Sequence, residues 1–219
     1  MQRALKYSMF ALGVIGSVVA SAADQHAPIA APVVVVGDSW TFQYTDVWKN
    51  EPGSLRRVEV TAINDNGIEA DYKGVDTGEV FAHQRFSREM NPFDRGSKHF
   101  APAFARYAFP LEAGKTWSSE TIADNPTTGK HFRYQIEGKA LGWEKIKVQA
   151  GEFDAMKIEI IAYYQNDEIV RNRGSAKSTE TIWYAPAVKN YVKLEYQDTD
   201  RNGRVANRDM WELTAYASK

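Results

Sequence analysis

From Ser39 onward, apolar and polar residues alternate along the chain with a period of two. Trp40, Phe42 and Tyr44 alternate with Thr41, Gln43 and Thr45, and Val58, Val60 and Ala62 alternate with Arg57, Glu59 and Thr61. Alternation of this kind puts one face of a strand in a core and the other in solvent, the habit of antiparallel sheets. The run Asn64-Asp65-Asn66-Gly67 predicts a type I′ hairpin turn leading to Ile68, Ala70 and Tyr72, and residues 80–86 read as a fourth strand. The pattern resumes at Trp117. It continues through Phe132, Tyr134 and Ile136, a short strand holding Ile146 and Val148, and Met156 to Tyr164. Residues 178–184, 191–196 and 205–216 complete it. About ten or eleven strands are expected, with no convincing helical period over twelve residues. One helical turn is expected within Ala150-Gly-Glu-Phe-Asp-Ala-Met-Lys157.

Residues 88–114 break the alternation. They hold three prolines and crowd Phe100, Phe104, Tyr107 and Phe109 together. We read them as a long connection packed over the sheet by its rings; Pro102 limits any helix there. A weak echo links Gly37-Asp-Ser-Trp40 with Gly114-Lys-Thr-Trp117, since each opens a strand and then an alternating partner. The expected fold is therefore all-β, an antiparallel meander forming an open barrel or strongly curved sheet. The echo admits two duplicated halves; two ordinary turn-to-strand starts would look the same.

The N-terminus changes the picture of location. Arg3 and Lys6 precede an apolar stretch from Met9 to Ala20, and Ala20-Ser21-Ala22 is a small-x-small cleavage pattern. The stretch is too short to span a bilayer and fits a secretory signal. We expect residues 1–22 to be a signal peptide, 23–36 a flexible linker and 37–219 a single β-rich domain. Removing Arg3 and Lys6 leaves 25 basic against 28 acidic residues, a net charge of −3. That balance argues against nucleic acid as a partner. With no Cys in 219 residues there is no disulfide framework, no thiolate metal site and no cysteine-borne lipid anchor. A bacterial periplasmic protein fits, as does full secretion, with no membrane span once the signal is removed.

Candidate chemistry is sparse. Val33-Val-Val-Val-Gly-Asp-Ser-Trp40 opens like the nucleophile block of SGNH-type esterases. A catalytic Ser39 needs a histidine to take its proton. His26, His83, His99 and His131 are the only histidines, none three residues after an Asp and none in the last third of the chain. The hydrolase reading is rejected, and no enzyme activity is expected. Residues 198–209, Asp-Thr-Asp-Arg-Asn-Gly-Arg-Val-Ala-Asn-Arg-Asp, match the Asp-x-Asp-x-Asn-Gly spacing of a calcium loop. The flanks read as strands, and the same residues suit a hairpin turn, so both readings stay open. No metal site or cofactor is expected. Aromatic residues make up 12% of the chain. Trp40, Phe42, Tyr44 and Tyr134 on strands, with Phe104 and Tyr107 from the Pro-rich segment as a lid, are the candidate residues for binding an apolar or amphipathic ligand. The partners expected are a lipid-like small molecule or, alternatively, an envelope protein held through a strand edge or the aromatic loop.

Four motifs, Gly37-Asp-Ser-Trp-Thr-Phe-Gln-Tyr44, Phe109-Pro-Leu-Glu-Ala-Gly-Lys-Thr-Trp117, Val148-Gln-Ala-Gly-Glu-Phe153 and Trp183-Tyr-Ala-Pro186, together resemble a family of exported, uncharacterised bacterial β-rich proteins. The resemblance runs from about Gly37 to Tyr196. It departs at Gln149, where a Pro is usual, and at Lys189-Asn190, where a Gly-containing turn is usual. It implies an all-β, non-enzymatic protein and brings no catalytic residues.

Overall fold

The computed structural model describes residues 26–166 and 175–219; the expected signal peptide lies outside the described residues. Twelve strands follow one another: β1 (Ser39–Asp46), β2 (Glu51–Asn64), β3 (Gly67–Gly74), β4 (Val80–Phe86), β5 (Asp94–Arg95), β6 (Lys98–Ala101), β7 (Thr116–Asn125), β8 (Lys130–Val148), β9 (Gly151–Asn166), β10 (Ala176–Ala185), β11 (Asn190–Thr199) and β12 (Val205–Ala217). The one helical turn among the described residues is 3₁₀, at Pro186–Val188, where Pro186 ends β10. All strands lie in a single antiparallel sheet. Each pairs with its neighbour in the chain, and β12 returns to β1, so the meander curls into a barrel. It fails to close between β4 and β5. There the contact shrinks to a bridge between Phe86 and Pro92 and a 2.8 Å hydrogen bond from Phe93 N–H to the Arg85 carbonyl.

Two halves of six strands each begin with the same turn. Gly37 and Gly114 take φ of 91° and 85°, which a side chain would strain. Asp38 N–H bonds the Val35 carbonyl and Lys115 N–H that of Glu112, both at 3.1 Å. Each glycine N–H then reaches across to the second strand, Gly37 to Val60 at 2.9 Å and Gly114 to Ala140 at 2.8 Å. Each tryptophan donates its indole N–H to a backbone carbonyl, Trp40 to Val188 at 2.7 Å and Trp117 to Ala105 at 3.0 Å. The halves differ in strand length: β5 and β6 have 2 and 4 residues, β11 and β12 have 10 and 13.

Four local expectations are corrected. The 88–114 segment is not strand-free, because it supplies β5 and β6 before its remainder folds into one barrel end. Ile146 and Val148 belong to the 19-residue β8, which runs through an irregularity between Ala140 and Gly142. Residues 151–157 are strand, since pairing with β8 supplies hydrogen bonds that one isolated helical turn cannot match. The Asp65-Asn66 loop is a two-residue hairpin, but the positive φ falls on Gly67, at 124°, and on neither loop residue, so it is not type I′.

The barrel end where β1 starts is filled. Phe42, Ile158, Ile182 and Leu213 have no accessible surface. Phe104, Tyr107 and Leu111 from the Pro-rich segment are buried among them. Asn91 clamps that segment, its side chain accepting from Tyr107 N–H at 2.7 Å and donating to the Tyr107 carbonyl at 3.0 Å. Residues expected as a linker lie along this end, where Ile29 and Leu111 exchange two 2.9 Å backbone hydrogen bonds. Asp38 is fully buried here. It accepts from Lys189 Nζ at 3.0 Å, Lys219 N–H at 2.8 Å and Val35 N–H at 3.1 Å. Lys189 holds φ at 59° in a turn where glycine is usual; its ion pair with Asp38 offsets that strain.

Candidate functional site

Several strands change character along their inward faces. On β2, Val60 and Val58 give way to Arg56; on β10, Ile182 gives way to Glu180 and Ser178; on β12, Leu213 gives way to Trp211 and Asp209. Period two keeps these side chains pointing inward. A barrel with an aliphatic plug at one end therefore has a polar and aromatic chamber at the other. The chamber has a volume of about 730 Å³.

Glu180 marks the floor between the two. It is buried and bridges Arg106, at 2.8 Å, and Arg95, at 2.5 Å. Burial alone would raise its pKa; Arg106 and then Arg95 hold it below the usual carboxylate value. Two further cations face the chamber. Lys98 donates to the Tyr134 hydroxyl at 2.7 Å and lies 4.9 Å from the Phe132 ring centroid and 5.1 Å from that of Tyr164. Desolvation, followed by repulsion from Arg95, pushes the Lys98 pKa down, against the pull of Asp198. Arg56 lies 3.9 Å from the Tyr44 ring centroid, 5.0 Å from Trp211 and 5.4 Å from Phe81. Cation–π contacts of this kind hold a cation without neutralising it. Among the described residues, neither Lys98 nor Arg56 is ion-paired to a carboxylate. The nearby carboxylates are engaged by phenols: Tyr164 donates to Asp198 and Tyr44 to Asp209, both at 2.8 Å. Burial and then the Asp209 hydrogen bond push the Tyr44 hydroxyl up to about 12.

The chamber opens at the seam. Phe81, Ala82 and Gln84 of β4 line one bank, and Arg95, Gly96 and Lys98 the other. Closer to the plugged end the banks are tied. Asp94 is buried and accepts from Arg85 Nε at 3.0 Å and from Arg85 N–H at 2.9 Å, and lies 2.5 Å from His99 Nδ1. Phe81, Val80 and, on the neighbouring turn, Val75 are exposed beside the opening.

Of the six aromatic residues singled out from the sequence, Tyr134 lines the chamber and Tyr44 braces Arg56. Trp40, Phe42, Phe104 and Tyr107 are packed in the plugged end or above its floor. Sequence reasoning passed over Arg56, Arg95 and Lys98. The available signal was phase, because Arg56 shares the parity of Val58 and Val60 and so faces inward. Lys98 lay in the segment without a period.

Ser39 is buried, and its hydroxyl accepts from Arg57 at 3.1 Å. The histidines are placed elsewhere: His26 stacks on Trp143, and His83, His99 and His131 contact Asp71, Asp94 and Asp124. Residues 198–209 form the β11–β12 hairpin. The Asp200 carboxylate caps the turn by accepting from Asn202 and Arg204 N–H, while Asp198 and Asp209 serve the two tyrosines. Among the described residues no group of three His, Cys, Asp or Glu side chains converges as a metal site. No described helix is long and apolar enough to cross a membrane.

The fold has counterparts among solved structures. The chain is similar to the crystal structure of a "putative lipoprotein" from Parabacteroides distasonis, with a TM-score of 0.55 and 14% identity over 88% of this chain and 100% of that one. It is also similar to a "putative exported protein with YmcC-like fold" from Bacteroides fragilis, with a TM-score of 0.52 and 13% identity over the same shares of the two chains. At these identities the likeness is one of fold. No family model matches the sequence, and no curated protein does.

Proposed function

We propose that the protein is an exported β-barrel of the bacterial envelope that holds a lipid-like, amphipathic small molecule in its chamber and releases it unchanged. The observation that carries this reading is the chamber itself: about 730 Å³, walled by rings and open sideways at the seam. A pocket of this size lies within the range of ordinary ligand sites, roughly 300–1,000 Å³. The signal-like N-terminus and the exported descriptions of the two proteins of similar fold support a place outside the cytoplasm, and the lack of cysteine suits the periplasm. The buried Ser39 hydroxyl, held by Arg57 with the described histidines placed elsewhere, speaks against an esterase reading of that serine.

Native mass spectrometry of the protein extracted from its own envelope tests this. A bound small-molecule mass is expected, and Ala82→Trp, which fills the mouth, should remove it. An envelope preparation carrying no such mass, or a mass that Ala82→Trp retains, refutes the reading. The scaffold alternative has one observation in its favour: from Val80 to Gln84, β4 has no strand partner on its seam side among the described residues. An unpaired edge can take another strand. The aromatic loop gives no such support, since Phe104 and Tyr107 are buried. Cross-linking from position 81 that captures an envelope protein, with no small molecule co-purifying, would favour the scaffold.

A further inference from the structure

We infer that the ligand carries an acidic head, a carboxylate or a phosphate, held between Lys98 and Arg56 while its apolar part lies against Tyr134, Tyr196 and Leu194. The inference rests on the proposed small-molecule role and specifies the class of ligand.

The argument is one of unequal neutralisation. The cations facing the chamber are Arg56, Arg95, Lys98 and Arg106. Glu180 serves Arg95 and Arg106 together, so this floor keeps one net positive charge. Among the described residues Asp209 is the one carboxylate lining the chamber, and its oxygens already accept from Tyr44 at 2.8 Å and Asn207 at 2.7 Å; Asp198, which pulls on Lys98, accepts from Tyr164 at 2.8 Å. Lys98 spends one N–H on Tyr134 and keeps two donors. Arg56 keeps its terminal amino groups, because its Nε donates to Ser54 at 3.3 Å. Each faces the rings of its cage rather than an anion. A desolvated cation with unused donors gains most from an incoming anion, since the charge-assisted hydrogen bond forms where water no longer competes. The two cations reach the chamber from different sides, Lys98 from β6 and Arg56 from β2. Lys98 belongs to one bank, and Arg56 touches Phe81 of the other at 5.4 Å. An amphipath entering sideways meets both cations at the mouth. Tyr134, Tyr196 and Leu194 of the chamber wall receive its apolar part.

The test uses 11-(dansylamino)undecanoic acid, its methyl ester and inorganic phosphate with the full mature chain. The acid should bind at least about tenfold tighter than the ester, the value of one good charge-assisted contact. That preference should shrink with added salt and narrow towards one in Lys98→Met, with thermal unfolding verifying that the variant is folded. Equal binding of acid and ester overturns the acidic-head inference and leaves the small-molecule role standing. Binding of neither defeats both. Phosphate that displaces nothing and shows no binding of its own agrees with an amphipath; phosphate that binds as tightly as the acid marks a free-anion site and overturns the inference.

Discussion

The two ends of this barrel are built by the same strands and solve opposite problems. At the plugged end Phe42, Ile158 and Leu213 meet with no accessible surface, and a Pro-rich segment is pushed in to complete the packing. Further along the barrel the inward positions hold Arg56, Tyr196 and Trp211 around a chamber of about 730 Å³, above the buried Glu180. A twelve-stranded barrel is too wide for strand side chains alone to fill. One end meets that geometry by borrowing Phe104, Tyr107 and Leu111 from a connection. The other leaves the space and lines it with charge. Packing and open space are thereby separated along the barrel axis, with the Arg95–Glu180–Arg106 layer as the partition.

The largest effect should come from emptying the plug. Phe42 is fully buried and stacks on Tyr191 with ring centroids 4.7 Å apart. Phe42→Ala should cost about 3–5 kcal/mol in chemical denaturation, because the barrel wall cannot collapse onto the hole. Tyr196→Ala, which enlarges a chamber that already exists, should cost about 1 kcal/mol. Equal costs would mean that the two ends carry stability alike.

Next comes the partition. Glu180→Gln leaves Arg95 and Arg106 without a counter-charge in a buried site and should cost about 3 kcal/mol. Acid should act in the same direction. For Glu180, Asp38 and Asp94 burial opposes ionisation, and it is outweighed by the partners: Arg106 and Arg95; Lys219 N–H and Lys189; Arg85 and His99. All three therefore have folded pKa values below their unfolded ones. Each contributes stability that is complete above the ordinary carboxylate pKa, about 4, and is lost as pH falls through the lowered folded value. Denaturation midpoints should stay level from pH 7 down to about 5 and fall steeply below about 4. Glu180→Gln should lower the plateau and flatten part of that fall. A fall that Glu180→Gln leaves untouched would place the acid-sensitive groups at Asp38 and Asp94 alone.

How much of this was legible depended on period. The β1 to β4 strands and those from Trp117 onward could be read because alternation persists over six or more residues. β5 and β6 could not: two and four residues among prolines carry no period, and only the pairing of β6 with β7, and of β5 with β6, makes them strands. The continuity of β8 was hidden for a related reason. Leu141 and Gly142 invert the alternation at the irregularity, so Ile146 and Val148 looked like a separate strand. The site was less legible than the fold. Rings on apolar faces suit a packed core as well as a ligand lining, and Phe42 and Trp40 prove to be core, facing a plug that comes from a distant segment. What distinguishes the two ends in sequence is the charge that interrupts an inward face, as Arg56 does below Val58 and Glu180 below Ile182. Such a charge reads as a fault in the pattern until the barrel gives it a chamber.

The smallest effect on stability should come from the mouth, and there the contrast becomes sharpest. Phe81 is 52% exposed, lies on the unpaired edge of β4 and touches Arg56 across 5.4 Å. Its ring contributes little burial, so Phe81→Ser should change stability by no more than about 0.5 kcal/mol. The same ring lines one bank of the opening through which the proposed ligand would pass. Removing it widens the opening and frees the Arg56 guanidinium to solvent, where its hold on an anion is screened. Dissociation of the dansylated acid, followed by stopped-flow fluorescence, should therefore quicken several-fold while the unfolding midpoint stays in place. A variant that unfolds as readily as Phe42→Ala would make β4 part of the plug. A variant with unchanged dissociation would mean that the ligand leaves by the barrel end and not by the seam.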